Sequence, residues 1–135
     1  MDNEFEKIIS EVSNGYKPTP DERENFYNSL LKHSKKTLDN TINLMESANS
    51  ILSVPASESD ISYAMKNYSK SVEMMTYLID DWKAVEPYAS KLFPLSIQNP
   101  ELLISAKIQL YRNNTMKTKE NLIRIENAIS RNRKK

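Results

Sequence analysis

The chain has no cysteine, one glycine and one histidine among its 135 residues. Without cysteine there is no disulfide framework, no thiol nucleophile and no thiolate metal site. One glycine cannot build a nucleotide-binding loop, and compact α/β folds use glycine freely in their turns. Its scarcity points to long uninterrupted helices. A single histidine with no cysteine nearly excludes zinc sites of the usual ligand types. Long apolar runs are missing too. The longest are short stretches such as Leu102-Leu103-Ile104, so nothing reads as a membrane span. The first residues, MDNEFEKII, are acidic where a secretory signal is basic. The expected location is therefore cytoplasmic, in a bacterial cell or a phage-infected host, and the glycosylation-type triplets at Asn67 and Asn113 read as chance. The Asn-, Lys-, Ser- and Ile-rich composition suits an AT-rich bacterial or phage genome.

A net charge of +1 conceals a gradient. Residues 1–24 hold seven acids and three bases, a net −4, and residues 25–100 are nearly balanced at −1. Residues 101–135 hold nine bases and three acids, a net +6. A chain acidic at one end and basic at the other can pair its own ends, associate head to tail, or meet an anionic partner.

The helix punctuation is clear. Phe5, Ile8, Ile9 and Val12 make a short amphipathic stretch that Asn14-Gly15 closes. Thr19-Pro20-Asp21-Glu22 then opens a second helix, with Thr19 as cap, Pro20 in the first turn and Glu22 completing a capping box. The pattern runs on to about Val54, and Pro55 lies in a turn. Ser57 with Asp60 marks another start, and Pro87 stops that third helix near Val85. Residues 88–93 can form one or two helical turns before Pro94, and Asn99-Pro100-Glu101 opens the last helix. No period-two pattern with turn signals occurs.

The expected fold is therefore all-α: an elongated helical bundle built on a long, coiled-coil-like antiparallel helical hairpin. As one domain over 1–135, it comprises a short acidic amphipathic helix at 1–15 and the hairpin at 19–86. A connector at 87–97 and a basic C-terminal helix at 98–135 follow. In the second helix Leu31, Leu38, Met45 and Leu52 share one heptad position, widened by Leu30, Leu44 and Ile51. In the third, Ile61, Met65, Tyr68, Val72, Met75, Ile79 and Trp82 form a strict seam. The last helix carries Ile104, Ile108, Tyr111, Thr115, Thr118, Leu122, Ile125 and Ile129, and packs either on the hairpin or on another subunit. Thr115 and Thr118, like Ser34 and Thr41 in the second helix, dilute their seams. Such residues select register or partner, or they pack their methyls and bond back to their own helix.

Chemistry-bearing residues are few. His33 lies in LLKHSKK, among lysines, and reads as a solvated helix residue. Asp80-Asp81 with Glu73 is the densest acidic group, without a Glu-x-x-His or calcium-loop pattern, and reads as a solvated surface. No catalytic residue, cofactor, metal ligand, small-molecule substrate or membrane contact is expected, and the chain reads as not an enzyme.

Two signals remain. Tyr63, Met74 and Tyr77 fall opposite the seam of the third helix. Either the first or last helix covers them, or they meet a partner together with Tyr111, Ile125 and Ile129 of the last helix. The last helix also carries Lys117, Lys119, Arg124, Arg131, Arg133, Lys134 and Lys135, a basic surface able to follow phosphates or simply to be solvated. The leading expectation is a non-enzymatic helical adaptor or assembly protein acting through protein contacts, as a homo-oligomer. The alternative is a nucleic-acid-binding factor, of phage packaging-subunit or strand-binding and recombination-mediator type, using the basic C-terminal helix.

Overall fold

Local chemistry sets the helix ends. The Thr19 amide donates to Glu22 Oε1 at 3.0 Å and the Glu22 amide returns a bond to Thr19 Oγ1 at 3.2 Å. This reciprocal box satisfies two amides that a helix start leaves open. Ser57 and Asp60 repeat it at 3.4 and 3.2 Å. Gly15, at φ +101°, ends the first helix. Its amide reaches Val12 O at 3.1 Å and that of Tyr16 reaches Glu11 O at 3.0 Å, the paired bonds of a Schellman stop.

The computed structural model describes residues 3–52 and 57–133, with side chains throughout except at 3, 129 and 131–133. It contains α1 (Asn3–Ser13), α2 (Pro20–Leu52), α3 (Glu58–Val85), a 3-10 turn (Glu86–Tyr88), α4 (Ala89–Leu92) and α5 (Pro100–Arg133). The turn expected at Pro55 lies outside the described residues. Among the described residues there is no strand, and four of the helices pack against one another in an all-α bundle. None of these helices is long and apolar enough to cross a membrane.

The chain divides into two compact units, where the sequence reading treats residues 1–135 as one helical domain. The first comprises Met1–Lys36 and Tyr77–Tyr111. Its core is aromatic: Phe5 of α1 meets Phe26 edge to face at 5.5 Å between centroids, and Tyr27 packs on Phe93 at 5.1 Å. Edge-to-face contacts set each ring's positive rim against its neighbour's negative face. Arg23 Nη1 donates to Ser90 O and Phe93 O, both at 3.2 Å, so one α2 guanidinium satisfies open carbonyls around α4. Trp82, Leu92, Ile104 and Tyr111 are buried alongside.

The second unit comprises Thr37–Thr76 and Arg112–Lys135. Its center is small. Ala48 and Ala64, both fully buried, sit with Tyr68, and Met45, Ile51, Leu52, Leu122 and Ile125 pack around them. Alanines at such a point let neighbouring helices approach closely. α5 thus packs within its own chain: Ile104, Ile108 and Tyr111 are buried in the first unit, Thr115 and Thr118 in the second.

Three of the polar seam residues bond back to their own helices. Ser34 Oγ donates to Leu30 O at 2.8 Å, Thr41 Oγ1 to Leu38 O at 2.7 Å and Thr118 Oγ1 to Asn114 O at 2.9 Å. Two hydroxyls reach further: Ser34 accepts the Trp82 indole N–H at 2.9 Å, and Ser71 donates to both Thr41 O and Asn67 O. Buried hydroxyls are thereby satisfied where leucine would have sat.

Candidate functional site

In the first unit, His33 departs from the sequence expectation. It is half-buried rather than solvated, and its Nε2 lies 3.1 Å from Asp81 Oδ2. The Phe5 ring flanks it at 5.9 Å. Its carboxylate partner stands 48 residues away on α3, which is why the lysine-rich surroundings of His33 give no sign of it. Asp80 stays exposed while Asp81 turns inward, 6% exposed. Among the described residues no three acidic or histidine side chains are placed to hold a metal ion.

Two tyrosines frame the chemistry of this unit. Tyr16 donates its hydroxyl to Glu22 Oε1 at 2.6 Å. That bond raises the Tyr16 hydroxyl above the usual tyrosine range. Glu22 is held below the usual glutamate range, first by the Thr19 amide and then by Tyr16. Tyr111, expected on an association surface, is instead a core residue at 1% exposure, with its ring 6.1 Å from Trp82. Its seam position carries it inward. Burial raises its hydroxyl pKa, and its hydrogen bond to Ser34 works the other way. Tyr77 lies on the surface, 59% exposed. A groove of about 210 Å³ between α1 and α2 is floored by Phe5, Ile8 and Phe26, with Glu4 and Glu22 at its edges.

In the second unit, Tyr63 is 56% exposed, whereas Met74 is half-buried in a groove of about 340 Å³ with Asn40, Asn43, Leu44 and Lys70. Ile125, the other expected contact, is half-buried against the Ala48–Ala64–Tyr68 cluster. It therefore contributes mainly to its own unit. The side chain of Ile129 lies outside the described residues. A second groove, about 350 Å³, runs between α2 and α5 past Leu38, Ile42, Met45, Asn114, Lys117 and Asn121.

Among the described residues, the basic side chains in the C-terminal part of α5 fall in two rows. Lys117 and Arg124 are exposed seven residues apart, one above the other on the helix. Lys119 is also exposed but lies roughly 140° around the axis from Arg124, below Arg112. The side chains of Arg131 and Arg133, and Lys134 and Lys135 entirely, lie outside the described residues. Between the two basic rows stand Met116 and Ile123, 59% and 55% exposed. Neither is among the contact residues expected from the sequence, although their seven-residue spacing is visible in it. Compared with protein-family models, with curated proteins and with solved structures, the chain has no match.

Proposed function

We propose that this chain is a non-enzymatic helical adaptor or assembly protein that works through protein–protein contacts and self-associates. The observation carrying this reading is the set of large apolar side chains left more than half exposed on helix faces. Tyr77 is one in the first unit; Tyr63, Met116 and Ile123 lie in the second. Tyrosine and methionine are enriched where protein surfaces meet, since each offers a large contact area.

The scaffold in this reading is an antiparallel hairpin of α2 and α3. Its support is the direction of pairing inside each unit. In the first, Ser34 bonds to Trp82 of α3, and Arg23, earlier on α2, bonds to Ser90 of α4, beyond the end of α3; in the second, Thr41 bonds to Ser71 and Asn49 to Tyr68.

The test is assembled mass by sedimentation, comparing the protein with Tyr63→Asp and Tyr77→Asp. Either substitution should lower the mass at constant helix content, because both positions are exposed and neither belongs to a core. Unchanged mass in both variants would remove self-association through these faces. Ile125→Asp is a poorer probe, because its side chain packs on a core cluster.

The second reading, a nucleic-acid-binding factor using α5, is favoured by the net +6 of residues 101–135 and by the exposed Lys117–Arg124 row. It requires binding to single- or double-stranded DNA that weakens steeply between about 50 and 300 mM salt. Deleting residues 131–135 should flatten that dependence. No binding at low salt sets this reading aside.

A further inference from the structure

The outer face of α5 in the second unit repeats every seven residues in parallel rows. Met116 and Ile123 form the apolar central row, with the polar row Asn113, Glu120 and Asn127 beside it; Arg112 and Lys119, followed in the same row by Glu126, form one flank, and Lys117 and Arg124 the other. Seven residues bring an α-helix almost two full turns around and roughly 10.5 Å along its axis. Each row is therefore a line along the helix. All of these side chains are exposed. The packed seam of the same helix, with Thr115, Thr118, Leu122 and Ile125, occupies the other side and is already engaged.

We infer that this face is a docking surface for an acidic amphipathic helix of another protein, a proposal that rests on the adaptor reading and names its partner chemistry. An apolar line with a cation row on each side is half of a two-helix seam. Its complement has leucine or isoleucine at seven-residue spacing and glutamate on both shoulders. That complement dries Met116 and Ile123 and pairs the flanking cations at once.

Other occupants match less of the face. A second copy apposed through the same surface sets cation rows against cation rows, and like charges across an interface oppose association. The chain's own acidic amphipathic helix, α1, has Phe5 and Val12 buried inside the first unit. Phosphates would engage the cations but leave the two apolar side chains without a counterpart, and the rows face roughly 140° apart. A lipid surface takes a broader apolar face with aromatic residues. Glu120 lies between the central row and Lys117 and Arg124, four residues before Arg124. Glu120 and Glu126 trim the charge of the face without reversing it, two carboxylates against the four cations Arg112, Lys117, Lys119 and Arg124.

The experiment is a fluorescence-anisotropy titration of the full chain against a labelled three-heptad synthetic peptide with leucine at the seam and glutamate on both shoulders. The comparisons are the same peptide with lysine shoulders, an oligo-dT strand, and phosphatidylserine vesicles. The protein variants are Met116→Ser/Ile123→Ser and Lys117→Ser/Arg124→Ser, each checked for unchanged helix content. The expected result is saturable binding of the acidic peptide, weakened about tenfold or more by either pair of substitutions, and none of the lysine peptide. The proposal falls if the acidic peptide does not bind. It falls equally if Met116→Ser/Ile123→Ser leaves that binding unchanged, which would be plain ionic adsorption. Tighter binding of oligo-dT or vesicles, indifferent to Met116→Ser/Ile123→Ser, would assign the face to those ligands instead. Failure here leaves the adaptor reading standing if Tyr63→Asp or Tyr77→Asp still lowers the assembled mass.

Discussion

Trp82 donates its indole N–H to Ser34 Oγ at 2.9 Å, with Trp82 fully buried and Ser34 3% exposed. Ser34 also donates to Leu30 O and is shared by the Tyr111 hydroxyl. One small hydroxyl thus satisfies a buried indole and joins two aromatic side chains of the first unit. Ser34→Ala leaves the indole N–H without an acceptor, and an unpaired buried donor costs about 1–3 kcal/mol. Urea unfolding followed by circular dichroism should show an unfolding free energy lower by that amount, read as a lower midpoint at unchanged slope. Combined with Trp82→Phe, Ser34→Ala should cost less than the two single losses added together, because the orphaned donor is then gone.

His33 and Asp81 form a side-chain pair across α2 and α3 in the first unit, 3.1 Å apart. Asp81 is 6% exposed and loses a partner in His33→Ala. The expected loss is on the order of 1–3 kcal/mol. The double variant His33→Ala/Asp81→Asn should lose less than the two single losses combined, since both act on one bond. Additive losses would mean that the 3.1 Å contact contributes nothing measurable.

Glu22 supplies a pH dependence with a definite sign. Its folded pKa lies below the ordinary glutamate value, held there by the Thr19 amide and then by the Tyr16 hydroxyl. A lowered folded pKa means that the unfolded chain takes up the proton first. The contribution is present above the ordinary glutamate pKa and disappears as pH falls through the lowered value. A carboxyl-carbon NMR titration should place Glu22 below the ordinary glutamate value. Tyr16→Phe should move it part of the way back.

The second unit should be least tolerant of added volume at its alanines. Ala48→Leu forces a branched side chain into the fully buried point beside Ala64 and Tyr68. Overpacking of this kind costs about 1–3 kcal/mol, occasionally more. Leu110→Ala, at a position 49% exposed, serves as the comparison and should change the melting temperature little. Equal effects from both would mean the cluster is not tightly packed.

Helix ends were legible in the sequence because their causes are local. Thr19 with Glu22, Ser57 with Asp60, and the glycine at 15 each act within a few residues, and the structure forms the expected bonds. Pro87 likewise falls just after the end of α3 at Val85. What a local pattern cannot carry is the identity of a distant partner. His33 has its carboxylate 48 residues away, and Arg23 caps carbonyls 67 and 70 residues away. Tyr111 shows the same limit at a candidate site. Its heptad position marks it for contact, but not whether its own chain or another supplies that contact. Met116 and Ile123 were obscured for a related reason. They share the seven-residue spacing of the adjoining seam, and only their exposure sets them apart.

The single tryptophan lies wholly within the first unit, fully buried beside a tyrosine. Its emission therefore reports on that unit's interior and is blind to loosening confined to the second. Helix signal, by contrast, is drawn from both. Denaturation curves recorded by the two optical methods would superimpose for a chain that melts all at once. Should the helix signal fall first while the indole stays shielded, the alanine-centered half would be the part that opens alone, with the basic face of α5 still attached to it.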